Sequence, residues 1–207
     1  MEYVNDLTSG SSPKIKKAAQ NIIKKRLTGY CSYLLEALTK EIEKPKAWQT
    51  QCHLIRAIGI GSCSEALPFL KELIERNYEN TILYRDLAFS IFLLENTHLD
   101  KLDLSFLFES IEKGNDLQIG GACSAILYKK IVPKETDIQN IISGISKFTE
   151  DEGKKITPRC YIAAIAHLWP KNEVKDFLES CKESNWPGLV EIAQDALEGK
   201  EPRIQLV

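Results

Sequence analysis

The side chains with most chemistry to offer are six cysteines and three histidines. Cys31, Cys52, Cys63, Cys123, Cys160 and Cys181 contain no Cys-x-x-Cys pair, and most fall on apolar stripes of helical spacing. Free cysteine packs as a small hydrophobe, so this spread predicts reduced, buried thiols rather than a disulfide framework or a metal site. His53, His98 and His167 lack the His-x-x-x-His or Glu-x-x-His spacing that puts two ligands on one helix face. Cys160 and His167 stand seven residues apart, about two turns of helix, which is too far for direct proton transfer between thiol and imidazole. Gly59-Ile60-Gly61 resembles the start of a dinucleotide loop, but it follows a helical pattern where a strand is needed to aim the turn at a pyrophosphate. These residues predict no catalytic group, no metal and no cofactor.

The elements around them are helical. Ala47 to Arg76 reads as a hairpin: Trp48, Cys52, Ile55 and Ile58 form one stripe, Gly59, Gly61 and Ser62 break it, and Leu67, Leu70, Leu73 and Ile74 form a second. Each helix is expected to keep one wet face. Pro68 is tolerated one turn in if Ser62 or Ser64 caps the second helix. Trp48 is expected to be buried at the base of the hairpin, near Leu38 or Ile42.

Similar pairs flank this one. Ser11-Ser12-Pro13 opens a basic helix carrying Ile15, Ala18, Ala19, Ile22 and Ile23, and Leu34, Leu35, Leu38 and Ile42 mark its partner. Ile82–Glu95 and Leu102–Lys113 form the next pair. A helix from about Leu117 contains Gly120-Gly121, which suggests a neighbouring backbone close by, since each glycine costs about 1 kcal/mol relative to alanine. Ile138, Ile141, Ile142, Ile145 and Phe148 stripe its partner. Thr149 to Lys155 is polar and predicts a loop. Pro158–Leu168 is apolar almost all round, Val174 to Cys181 pairs with it, and Leu189 to Leu197 supplies a final capping helix. First helices start near Lys14, Ala47, Ile82, Leu117 and Thr157, at offsets of 33, 35, 35 and 40 residues. Such a period predicts an all-α solenoid of about five helical hairpins plus a C-terminal capping helix. It places a polar arm over 1–11, a single domain over 12–199 and a tail over 200–207.

Trp48-Gln49, Leu54, Ala57, Ile58-Gly59 and then Glu65-Ala66-Leu67-Pro68-x-Leu70 resemble a HEAT repeat of the type also found in phycobilin-lyase-like proteins. The resemblance departs at Gln51, where that family often has Arg or Asp. It implies a fold and no activity.

With 207 residues, 43% hydrophobic and 27% charged, the composition is that of a globular chain able to bury a core. No apolar run approaches the roughly 20 residues that span a bilayer, and the opening MEYVNDLTSG has no signal-peptide pattern, so a cytoplasmic protein without membrane contact is expected. Residues 1–26 carry a net charge of +4 and the remainder −6. The HEAT resemblance implies that second helices line a concave face, and there this chain offers Glu36, Glu72, Glu75, Glu109, Glu112, Glu173, Asp176 and Glu179. Such a face attracts a basic protein and repels nucleic acid.

Three classes of function follow. The first is a non-catalytic protein-binding solenoid, similar to immunity proteins of bacterial toxin systems that use HEAT-like stacks to block a basic nuclease toxin. The second binds nucleic acid through the basic first helix, as the HEAT-like alkyl-purine DNA glycosylases do. The third is a lyase or chaperone for a chromophore, suggested by the repeat type alone. The carboxylates favour the first, while the oligomeric state has no signature in the sequence.

Overall fold

The computed structural model describes residues 2–98, 101–148 and 156–201, which contain twelve α-helices and no strand. The chain divides into two compact units, Met1–Lys101 and Leu102–Val207, where the sequence pattern suggests one domain over 12–199. The 149–155 stretch and the tail beyond Glu201 lie outside the described residues.

The first unit holds α1 (Val4–Leu7), α2 (Ser12–Lys25), α3 (Cys31–Glu41), α4 (Trp48–Ile60), α5 (Leu67–Leu73) and α6 (Ile82–Glu95). The expected polar arm is partly structured: α1 packs on α2 and α3 and buries Tyr3 and Leu7. Pro13 occupies the first turn of α2, where its missing N–H has no intrahelical partner to lose. Arg26 then ends that helix at φ 50°, in the left-handed region. Pro68 likewise lies in the first turn of α5, but a 3-10 turn, Ser64–Ala66, precedes it in place of a serine side-chain cap.

Helix α4 sits at the centre of this unit, packed by α2, α3 and α6. Three neighbours narrow its expected wet face to a strip of Gln49, His53, Arg56 and Ile60, and only Gln49 is fully exposed. Opposite lie Leu54, Ile55, Ala57 and Ile58, all fully buried. Burying a Leu or Ile side chain contributes roughly 1.5–3 kcal/mol, so this helix anchors the unit. Its contact with α6 is close at Gly59, where an added Cβ would stand 2.8 Å from the Cα of Ser90.

The second unit holds α7 (Ser105–Lys113), α8 (Asp116–Lys129), α9 (Glu135–Ile145), α10 (Pro158–Ile165), α11 (Lys171–Lys182) and α12 (Pro187–Leu197). Helix α8 packs on α10 and α10 on α12, while α7 packs on α9 and α9 on α11. Within α8, an added Cβ at Gly120 would come within 2.7 Å of the Tyr161 ring. The space is therefore taken by an aromatic side chain from α10, not by a neighbouring backbone. The nearly all-apolar stretch 158–168 is α10 followed by a 3-10 turn, Ala166–Leu168. It ends where the Trp169 indole donates to the Ile131 carbonyl at 3.2 Å.

Candidate functional site

Seven of the eight expected binding carboxylates are exposed, and Glu173 is half-buried. Four of the exposed ones are paired with a cation three or four residues further along the chain: Glu36 with Lys40 at 2.6 Å, Glu72 with Arg76 at 2.8 Å, Glu109 with Lys113 at 2.6 Å and Glu179 with Lys182 at 2.9 Å. Exposed pairs of this kind contribute about 0–1 kcal/mol, so a partner can exchange them at little cost. Glu173 accepts a 2.7 Å hydrogen bond from Gln139. Glu75, just beyond α5, Glu112 on α7 and Asp176 on α11 have no ion pair among the described residues. Glu36, Glu72 and Glu75 belong to the first unit and the other five to the second.

The basic α2 is partly engaged within the fold. Lys16 donates to the Gln49 side chain at 3.0 Å, and Lys25 to the Tyr3 hydroxyl at 2.6 Å. The Tyr3 bond raises the Lys25 pKa above its ordinary value, with desolvation opposing the rise and Glu2 adding to it. Lys14, Lys17 and Lys24 are exposed.

The histidines and cysteines are structural in their contacts. His53 meets the Gln49 carbonyl at 2.6 Å, and His167 meets that of Ala164 at 2.8 Å. Cys160 is buried against the N-cap Thr157, and no group of three metal-ligating side chains occurs among the described residues. One expectation about the cysteines fails: Cys31 and Cys63 form a disulfide, with Cα atoms 5.3 Å apart. Packing of α3 on α4 brings the start of one helix to the turn after the other, which a sequence separation of 32 conceals. Cys52, Cys123, Cys160 and Cys181 are buried and form no disulfide.

Cys52 belongs to a polar cluster between α4 and α6. Arg56 Nε donates to Asp86 Oδ1, with the two side chains 20% and 8% exposed, and the guanidinium lies 5.0 Å from the Phe89 ring centroid. Burial pushes the Cys52 thiol well above its ordinary pKa, and the neighbouring Asp86 carboxylate adds to the rise.

Trp48 departs from expectation in a way that creates a site. It is half-buried, and with Ile42 it lines a cleft of about 320 Å³ between the α3–α4 and α5–α6 turns. The α3–α4 turn is held by Gln51, whose amide donates at 2.8 Å to the carbonyls of both Glu41 and Lys44. Tyr84 fixes the other turn: its hydroxyl donates to the Arg76 carbonyl at 2.7 Å and accepts from the Tyr78 N–H at 3.3 Å. Arg76 spans the cleft mouth, donating to Glu43 at 3.1 Å and Glu72 at 2.8 Å. Tyr78 and Glu79 complete the lining. Of this site the sequence singles out Trp48; neither Tyr78 nor Glu43 stands out by periodicity.

Several polar contacts between neighbouring elements join residues 33 to 38 apart, while Ser12–Glu41 and Arg56–Asp86 join residues 29 and 30 apart. In the first unit Lys16–Gln49, Gln20–His53 and Glu43–Arg76 are each 33 residues apart, and Ile55–Ser90 35. In the second, Gln139–Glu173 spans 34 and Ile131–Trp169 spans 38. Compared with protein-family models, with curated proteins and with solved structures, the chain matches none.

Proposed function

We propose that this protein is a non-catalytic, HEAT-like helical-repeat protein that binds a basic protein partner through the carboxylates of its second helices. The observation that supports the repeat reading is that several polar partners on neighbouring elements, among them Lys16–Gln49 and Gln20–His53 between α2 and α4, stand 33 to 38 residues apart. When each helical pair contacts the next in register, bonded residues stand one repeat apart. The layered packing of α2, α4 and α6, and of α8, α10 and α12, agrees with stacked pairs inside each unit. Exposed carboxylates on α3, α7 and α11, joined by Glu72 on α5 and Glu75 just beyond it, favour a cationic protein surface over a phosphate backbone. The specific reading is an immunity-type inhibitor that neutralises a basic, nuclease-type toxin in the cytoplasm.

The nucleic-acid reading rests on exposed Lys14, Lys17 and Lys24, and the two readings predict opposite results. Reversing Glu72, Glu75, Glu109 and Glu112 to Lys abolishes binding to a basic partner captured from the native host, with helical signal intact, and added salt weakens the wild-type complex. Neutralising Lys16, Lys17, Lys24 and Lys25 leaves that complex unchanged. Tight binding of random-sequence duplex DNA, lost only in the lysine variant, overturns the proposal.

A further inference from the structure

The Trp48 cleft has walls suited to a cation. Trp48 supplies an indole, the strongest aromatic face for a cation. Three carboxylates, Glu43, Glu72 and Glu79, stand at the cleft or its mouth against one guanidinium, that of Arg76, which is already shared between two of them. The side chain of Glu43 is 72% exposed, so it can take a second donor. Lys44, beside the cleft, is held by Glu41 at 2.5 Å.

Tyr78 adds a second aromatic side chain to the lining, and burial pushes its pKa up to about 12, which keeps the phenol neutral beside the carboxylates. A volume of about 320 Å³ lies at the small end of ligand cavities, which run from roughly 300 to 1,000 Å³. It suits one long side chain better than a cofactor. An acidic guest faces the three carboxylates, and an apolar guest gains nothing from them.

We infer that this cleft receives a single arginine or lysine side chain of the protein partner, stacked on Trp48 and flanked by Glu43 and Glu79. The inference rests on the proposed binding of a basic protein and names its anchor. Arginine fits best, because its planar fork offers five donors and stacks on aromatic faces.

The test is titration of ¹⁵N-labelled protein with acetyl-Gly-Arg-Gly-amide, its lysine counterpart and its glutamate counterpart. The Trp48 indole signal is assigned from Trp48→Phe. It shifts saturably with the arginine and lysine probes and not with the glutamate probe. Glu43→Gln with Glu79→Gln weakens the arginine probe about fivefold or more without moving the helical signal. An unmoved Trp48, or an equal response to the glutamate probe, overturns the inference. Failure of the two proposals is distinguishable. Partner binding that is lost on carboxylate reversal while Trp48 ignores arginine removes the cleft alone. A Trp48 response to arginine in a protein that captures no basic partner removes the proposed function.

Discussion

Ser90 on α6 donates a 2.7 Å hydrogen bond to the carbonyl oxygen of Ile55 on α4, and both residues are fully buried. The bond is possible because Gly59, one turn further along α4, lets the Ser90 backbone approach. An added Cβ at that position would lie 2.6 Å from Ser90 Oγ and 2.8 Å from its Cα. Because a Cα cannot rotate away, Gly59→Ala forces the helices apart. Helix propensity alone favours alanine by about 1 kcal/mol, while overpacking costs about 1–3 kcal/mol. The variant is expected to be less stable by roughly 1–2 kcal/mol net of these effects, read from the midpoint of urea unfolding at unchanged slope.

Trp48 gives a milder outcome than a fully buried indole. Complete burial predicts a loss of about 3–5 kcal/mol on truncation to alanine. Half-buried and lining an open cleft, Trp48 leaves no sealed cavity behind. Trp48→Ala is expected to lose about 1–2 kcal/mol, checked by the same unfolding curves.

The Cys31–Cys63 bond closes a loop across a separation of 32 residues. Cross-links of that span stabilise by about 3–4 kcal/mol in the chain-entropy treatment. Removing both sulfurs by Cys31→Ser with Cys63→Ser lowers stability by an amount of that order. Thiol titration of the denatured, unreduced protein returns four free thiols, and reduction raises the count to six. Six thiols before reduction would show that Cys31 and Cys63 are not cross-linked in the protein as isolated.

Alkaline pH provides a separate check. Cys52 is raised above its ordinary 9.0 by burial first and by Asp86 second. Below about pH 9 both folded and unfolded chains hold the thiol proton and its contribution is fully present. As pH rises past 9 the unfolded chain releases that proton while the folded chain keeps it, so stability falls by up to about 1.4 kcal/mol per pH unit. Tyr78 adds a similar loss only between its ordinary 10.0 and about 12. Cys52→Ala is expected to flatten the fall between pH 9 and 10, measured as the slope of unfolding free energy against pH. An unchanged slope shows that the thiol is not held protonated.

Much of the helical architecture was legible because an amphipathic helix advertises its period. Ile82–Glu95 matches α6 to the residue, and Leu102–Lys113 and Pro158–Leu168 each hold a helix of the expected kind. The carboxylate positions were legible for the same reason: a residue opposite an apolar stripe is wet. Their pairing was also within reach, since Glu36 and Lys40 or Glu109 and Lys113 stand four apart on one helix. The cleft was not. Glu43 and Arg76 belong to different turns and meet only because the helices between them pack in register.

By itself, then, the sequence determined that the chain is helical and where most of its helices lie. Periodicity reports which face of a helix avoids water, but it does not say how many neighbours cover that face. Tertiary structure decided that α4 would be covered by three helices and that Trp48 would be left half-open at its end. It also decided that Cys31 would meet Cys63 and that Asp86 would be buried against Arg56 and Cys52. Each of these depends on distances between residues about 30 to 35 positions apart. Such distances are set by how apolar faces interlock, and no local spacing encodes them.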